Sequence, residues 1–158
     1  MGSIPARPTQ DCNMNRETQL KGFIAETKFI QECAQRKIPV SQPLWDVRYD
    51  FILEKDSSLL KVQVKYIGRR KNNIKAYADS KDKGVISVNS YSTNTRGKKQ
   101  PYTKDEIDVI VAWSEEIERF LWIPIEDMEG KSAKSFRINK PLIKQKKGKI
   151  NWAKDYYW

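Results

Sequence analysis

Four residues in this sequence have types and spacing suited to chemistry on a phosphate: Glu26, Asp50, Gln63 and Lys65. Gln63 and Lys65 stand two apart in the run LLKVQVKY, between valines. Side chains alternate across an extended strand, so these two project side by side, on the order of 7 Å apart. Leu60, Val62, Val64 and Tyr66 take the other face. Asp50 opens the preceding run, YDFILE, and the polar stretch KDSS folds one run back on the other. An acid, an amide and an amine thereby share one hairpin. By alternation alone they are the solvated face of that hairpin. Phosphodiester cleavage, which needs carboxylates and a positive group, is the chemistry they would suit.

Glu26 adds a second acid from a different element. Its helical neighbours are Gly22, Phe23 and Ile30, so it falls among the apolar positions Leu20, Phe23, Ile24, Ile30 and Ala34. A carboxylate there is costly unless it meets a cation, a metal or hydrogen bonds, and a buried structural ion pair would satisfy it equally. Gly22 leaves room for another backbone or a phosphate to approach.

The composition narrows the chemistry. The chain has 158 residues, with Lys+Arg 30 against Asp+Glu 20, a net charge of +10 and a pI near 9.6. Such a balance points to a polyanionic partner, nucleic acid or an anionic membrane surface. There is no histidine. That removes Ser-His-Asp and Cys-His catalysis, HEXXH zinc sites and histidine-based metal nucleases. An enzyme built from this chain works with Asp, Glu, Lys and a hard cation such as Mg²⁺. No apolar run reaches a membrane span and no basic amphipathic helix is evident, so no membrane partner is expected. Cys12 and Cys33 form no framework or CxxC pair, which suits a reduced, cytoplasmic setting.

These residues must be positioned by a small set of elements. Residues 1–13 carry Pro5, Pro8 and no period, and are expected to be a leader or disordered arm. Residues 14–158 are expected to form a single domain. Helical spacing covers 15–37, and Pro39 stops it. Strands are expected at 48–54, 59–67, 74–78, 84–90, 107–113, 119–125 and 135–139. Thr103 and Glu106 have capping-box spacing, which predicts one helical turn. A helix followed by mostly antiparallel strands makes an α+β domain. Three basic stretches, GRRKNN, STNTRGKKQ and KQKKGK, lie in the connections. Arg69, Arg70, Lys71, Arg96, Lys98 and Lys99 are the candidate DNA contacts. Each is equally readable as part of a solvated charged loop.

A helical Glu, a strand Asp, a turn, and then acid-or-amide, any residue, Lys is a pattern that resembles the PD-(D/E)xK nucleases. Here it is Glu26, Tyr49-Asp50 and Gln63-Val64-Lys65. The blocks GFIAETKFI, YDFILE, LLKVQVKY, YTKDEIDVIVAW and RFLWIPIED are similar to small endonucleases of this class, some of them homing endonucleases encoded in group I introns. The resemblance extends from about Met14 to the C-terminal NWAKDYYW. It implies a restriction-endonuclease-like core, with the N-terminal helix packed on a mixed, mainly antiparallel sheet. It also implies Mg²⁺-dependent, site-specific cleavage of double-stranded DNA leaving a 5′-phosphate. Asp50, Glu26, Gln63 and the Val64 carbonyl would hold the metal, and Lys65 would orient the attacking water or stabilise the phosphorane.

The sequence departs from the pattern twice. Tyr49 stands for the proline, which does no chemistry. Gln63 stands for the second acid, which lowers the charge available to a cation. Gln63 is either native to the subfamily or engineered to trap uncleaved DNA; the occurrence of QVK in similar relatives favours native. One active centre per chain, cutting two strands, implies a homo-oligomer, dimer or tetramer, with the apolar residues of 110–125 and the C-terminus as candidate contacts, although such residues are more often core. The alternatives are a junction-resolving or repair nuclease of the same fold, and a non-catalytic DNA-binding protein with a decayed site.

Overall fold

The computed structural model describes residues 10–68, 84–93, 97–140 and 150–158. Helix α1 runs Gln10–Gln35. Its end is fixed by local backbone geometry: Lys37 adopts φ 57°, the Ile38 N–H returns to the Cys33 carbonyl at 2.9 Å, and the Lys37 N–H to Ala34 at 3.1 Å. This is a left-handed cap, and Pro39 then bars continuation. Strands β1 (Val40–Ser41), β2 (Phe51–Lys55) and β3 (Ser58–Ile67) follow. Asp56 and Ser57 both have positive φ, 50° and 62°, which suits a tight two-residue hairpin turn. The turn register sets Phe51 opposite Val62 and Lys55 opposite Ser58.

Next come β4 (Val85–Asn89), β5 (Tyr91–Thr93), β6 (Lys99–Pro101), β7 (Val109–Ser114), β8 (Arg119–Pro124) and β9 (Ala133–Arg137). The main sheet has the order β1-β2-β3-β7-β8, parallel between β3 and β7 and antiparallel elsewhere. Two small antiparallel pairs, β4–β9 and β5–β6, complete the described strands. The expected strand 74–78 lies outside the described residues. The capping box at Thr103 forms, with the Thr103 N–H bound to Glu106 Oε2 at 3.0 Å, but it closes a single turn and no helix grows from it.

Alternation along the central strands sends apolar side chains to both sheet faces. On one face Phe51, Leu53, Val62, Val64, Val109, Val111 and Phe120 pack against Ala25, Phe29 and Cys33 of α1. On the other, Ile110, Ala112, Leu121 and Ile123 pack with Ile86, Val88 and Phe136 of the β4–β9 pair. Phe29 is fully buried, with ring centres 5.3 Å from both Phe51 and Trp158. Removing such a ring costs about 3–5 kcal/mol.

One expectation needs correction, and one open reading is decided. The helix does not face the sheet with Leu20, Phe23, Ile24, Ile30 and Ala34. All five are exposed, and the packed stripe is Ala25, Phe29 and Cys33. Both sides of α1 are apolar, and the side with the smaller residues at Ala25 and Cys33 lets the helix lie close across β3 and β7. The aromatic and aliphatic residues near 110–125 are core rather than free surface, and Trp158 closes over Phe29.

Candidate active site

Pairing between β2 and β3 stops at Phe51 and Val62, while β3 runs on beside β7 to Ile67. Asp50 sits where the strands part. Its N–H still reaches the Val62 carbonyl at 2.9 Å. Its carboxylate then replaces the missing strand: Oδ2 accepts the Val64 N–H at 2.7 Å. The same oxygen accepts the Gln63 side-chain amide at 2.5 Å. Gln63 Nε2 also lies 3.3 Å from the Val64 carbonyl. An acid at this position is therefore fixed by the sheet edge itself.

The alternation expected for β3 holds. Val62 and Val64 are buried under α1, and Gln63 and Lys65 point to the opposite face. Lys65 Nζ is held by two groups that the sequence pattern did not mark: the Tyr91 carbonyl at 3.2 Å and the Tyr102 hydroxyl at 3.1 Å. It also lies 4.9 Å from the Tyr102 ring centre. Tyr91 begins β5, so the β5–β6 pair covers the amine.

Arg48 ties this cover down. It bonds Glu106 Oε1 at 3.1 Å, the Gln100 carbonyl at 3.2 Å, the Pro101 carbonyl at 3.0 Å and the Ser92 hydroxyl. Its guanidinium lies over the Tyr102 ring, 4.6 Å from the centre. Glu106 meanwhile uses its other oxygen for the Thr103 capping box. Arg48, Tyr102 and Glu106 were missed because no local spacing links them to Lys65. Only the capping-box signal at Glu106 was available.

The electrostatics follow from burial. Burial pushes the Asp50 carboxyl up, against the Val64 N–H, the Lys65 charge and the Gln63 amide, which pull it down. Glu26 is pushed up by burial and then by the Asp50 charge. Burial lowers Lys65, with Asp50 acting to raise it and Arg48 to lower it further. Burial and the Asp50 charge push Tyr102 up to about 12, so it remains a hydroxyl donor. Glu26 on the helix thus feels the charge of Asp50 at the sheet edge. Glu26 forms no hydrogen bond or ion pair among the described residues.

Two carboxylates whose charged forms are both disfavoured by burial fit a divalent cation, which would relieve both. Hard oxygens are present: Glu26, Asp50, the Gln63 amide and the Val64 carbonyl. The set is lean, since no cluster of three or more Asp, Glu, Cys or His suited to a metal occurs among the described residues. Gln63 as placed offers Asp50 its N–H, so a ligand role for its oxygen needs the amide to turn over. At Gly22 an added Cβ would meet nothing within 4 Å, so no neighbouring backbone among the described residues uses the room there.

Of the candidate DNA contacts, Lys98 and Lys99 are exposed on the β5–β6 side, and Lys99 Nζ lies 4.6 Å from the Tyr91 ring centre. Arg69, Arg70, Lys71 and Arg96 lie outside the described residues, as does the basic run 144–149. No described helix is long and apolar enough to cross a membrane.

The chain is similar to the solved structure of a bacterial homing endonuclease, I-Ssp6803I: 26% identity, TM-score 0.63, covering 89% of this chain and 88% of that one. A second structure, MepB, aligns at 14% identity and a TM-score of 0.38, over 76% of this chain and 84% of that one. No curated protein matches. The family model for the PD-(D/E)XK endonuclease matches residues 16–158, which takes in the helix with Glu26, the strand edge with Asp50 and the Gln63–Lys65 pair. On that match the chain belongs to the PD-(D/E)XK endonuclease family.

Proposed function

We propose that this protein is a site-specific endonuclease that hydrolyses both strands of a DNA duplex with Mg²⁺, in the manner of a homing endonuclease. The observation that carries the reading is the end of β3. There Asp50 is anchored to the Val64 N–H, and the Lys65 amine is anchored to Tyr102 and Tyr91 on the exposed-edge side. Burial disfavours the charged forms of both Glu26 and Asp50, and the Asp50 charge adds to this at Glu26, which a cation would relieve. The net charge of +10 supplies attraction for a phosphate backbone.

When bound, the cation would polarise the scissile phosphate and acidify a water. Asp50, Glu26, the Gln63 oxygen and the Val64 carbonyl are the groups that would hold it. Asp50 is oriented for this by the strand edge and needs no further ordering. Lys65 places one positive charge beside the phosphate, where it orients the attacking water or stabilises charge on the phosphorane. Tyr102 and the Tyr91 carbonyl restrict the amine to that position. Lys98, Lys99 and the basic residues Arg69, Arg70, Lys71 and Arg96 would neutralise backbone phosphates and read base edges.

Gln63 favours a second reading, a DNA-binding protein whose centre has lost its second acid. One experiment separates them. A pool of random long duplexes is incubated with protein and Mg²⁺, with EDTA, and with Lys65→Ala. Enrichment of one long cleaved site, only with Mg²⁺ and Lys65 present, supports the site-specific endonuclease. Cleavage without a consensus indicates a shape-reading nuclease, and salt-sensitive binding without cleavage indicates the binding protein.

A further inference from the structure

Arg48 lies two residues before Asp50, and its guanidinium reaches across to the cover over Lys65. All three of its nitrogens are engaged. Nε donates to Glu106 Oε1 at 3.1 Å. One terminal nitrogen donates to the Ser92 hydroxyl and, at 3.5 Å, to Gln100 Oε1. The other donates to the Gln100 and Pro101 carbonyls at 3.2 and 3.0 Å. The guanidinium also rests over the Tyr102 ring, 4.6 Å from its centre. The side chain is 29% exposed, so these bonds are partly shielded from water.

The cover needs such support. Strands β5 and β6 have three residues each and pair only with each other among the described strands. A two-stranded pair that short does not hold itself together in water. Backbone bonds tie it at one end, where the Ser90 N–H reaches the Ser132 carbonyl at 3.0 Å and the Tyr102 N–H reaches the Ser90 carbonyl at 2.9 Å. Arg48 straddles both strands, with Ser92 on β5 and Gln100 and Pro101 on β6. Glu106 braces the guanidinium in turn, because its other oxygen is held by the Thr103 N–H at 3.0 Å.

The same pair locates the Lys65 amine. Its two hydrogen-bond partners are the Tyr91 carbonyl at 3.2 Å and the Tyr102 hydroxyl at 3.1 Å. Tyr91 stands opposite Pro101 in the register, and Tyr102 follows directly. Arg48 therefore grips the neighbours of both groups and the ring of one. It cannot hydrogen-bond Lys65 itself, since both side chains are donors only. Any effect it has on where the amine sits passes through the cover. A lysine at this position could not do the same, because one ammonium lacks the planar fork that serves two strands at once.

We propose that Arg48 is a positioning residue: it clamps β5 to β6, seats Tyr102, and thereby fixes the Lys65 amine where the scissile phosphate would lie. The consequence for cleavage rests on the proposed nuclease function. The consequence for the amine does not.

The test has one arm for each. In the first, the full chain in EDTA, without DNA, is acetylated at neutral pH with a succinimidyl ester. Mass spectrometry compares the labelling rate of Lys65 with that of Lys37, which is exposed at the end of α1. Opening of the cover in Arg48→Ala should raise the relative rate at Lys65 about fivefold or more over wild type. Circular dichroism checks the fold. If Arg48→Ala does not fold, Arg48→Lys, which keeps the charge and loses the fork, takes its place with the same expectation. Unchanged Lys65 labelling in the folded variant would overturn the proposal, whether or not the protein cuts DNA.

The second arm is single-turnover cleavage with Mg²⁺, alongside DNA affinity. The folded Arg48 variant should cleave roughly 10–100-fold more slowly, with affinity within about twofold of wild type. Combining it with Tyr102→Phe should cost at most about threefold beyond the slower single variant, because both act through the same amine. Losses that multiply, or weaker binding at an unchanged rate, would also overturn the positioning role. A wild type that does not cleave, while the Arg48 variant still exposes Lys65 to acetylation, would sink the nuclease reading and leave the clamp standing.

Discussion

The Gln63 side-chain amide donates to Asp50 Oδ2 at 2.5 Å, on the oxygen that also takes the Val64 N–H. The amide thereby meets a carboxylate whose charged form burial disfavours. It also explains how the position tolerates a neutral residue, since an acid there would face Asp50 directly.

Gln63→Glu should accordingly have opposite effects without and with a divalent ion. In EDTA, two carboxylates meet where an amide met one, and the fold should lose about 1–3 kcal/mol. With millimolar Mg²⁺, the added charge should bind the ion more tightly and return part or all of that loss. Urea unfolding in the two buffers checks both signs. Equal destabilisation in both would place Gln63 away from any cation.

Asp50→Asn gives a pH signature. The Asp50 carboxyl is raised in the fold above its ordinary value of 3.8, chiefly by burial. The folded state therefore binds this proton more tightly than the unfolded chain. The ionised carboxylate costs stability, none below the ordinary value and the full amount above the raised one. The variant should gain stability relative to wild type as pH rises through that window, then stay level. Thermal melts from pH 3 to 8 in EDTA report the difference. Mg²⁺ should raise the wild-type Tm at pH 7.5 and leave the variant unmoved. A relative loss with rising pH would show that the Val64 and Gln63 bonds outweigh burial.

Tyr102→Phe keeps the ring beneath Lys65 and removes only the hydroxyl at 3.1 Å from Nζ. A positioning role predicts a roughly 10–100-fold lower kcat with DNA affinity within about twofold, because small misplacements of a catalytic group are costly. Stability should fall by about 1 kcal/mol. Single-turnover cleavage alongside gel-shift titration separates the two effects. Weakened binding with an unchanged cleavage rate would make Tyr102 a DNA contact or a structural residue.

Lys98→Ala and Lys99→Ala test the electrostatic footprint. Wild-type DNA affinity should fall steeply with salt, and each substitution should flatten the log–log slope by about 1 if that lysine neutralises a phosphate. Fluorescence anisotropy between 50 and 300 mM NaCl measures this. A slope unchanged by both substitutions would remove this hairpin from the DNA-binding surface.

The order of elements was legible because local physics writes it. Period-two alternation marked β3 and put Gln63 and Lys65 on one face. Polar turn residues marked the hairpin, Pro39 marked the end of α1, and Thr103 with Glu106 marked a real cap. The resemblance to the family lay in the ordered blocks around Glu26, Asp50 and Lys65 rather than in the short motif itself. These signals reach only a few residues along the chain.

What tertiary structure alone decided are choices between locally equal options. Helix α1 is apolar on two sides, so its sequence could not say whether Phe23 or Phe29 faces the sheet. Close packing over β3 and β7 selected Ala25, Phe29 and Cys33 and left the other stripe open. Arg48, Tyr91, Tyr102 and Glu106 converge around Lys65 from separations of 17 to 41 residues, which no periodicity encodes. The anchoring of Asp50 on the Val64 N–H likewise exists only because β2 ends at Phe51 while β3 runs on. Sequence determined which groups were available and on which element; the divergence of two strands determined what they could do together.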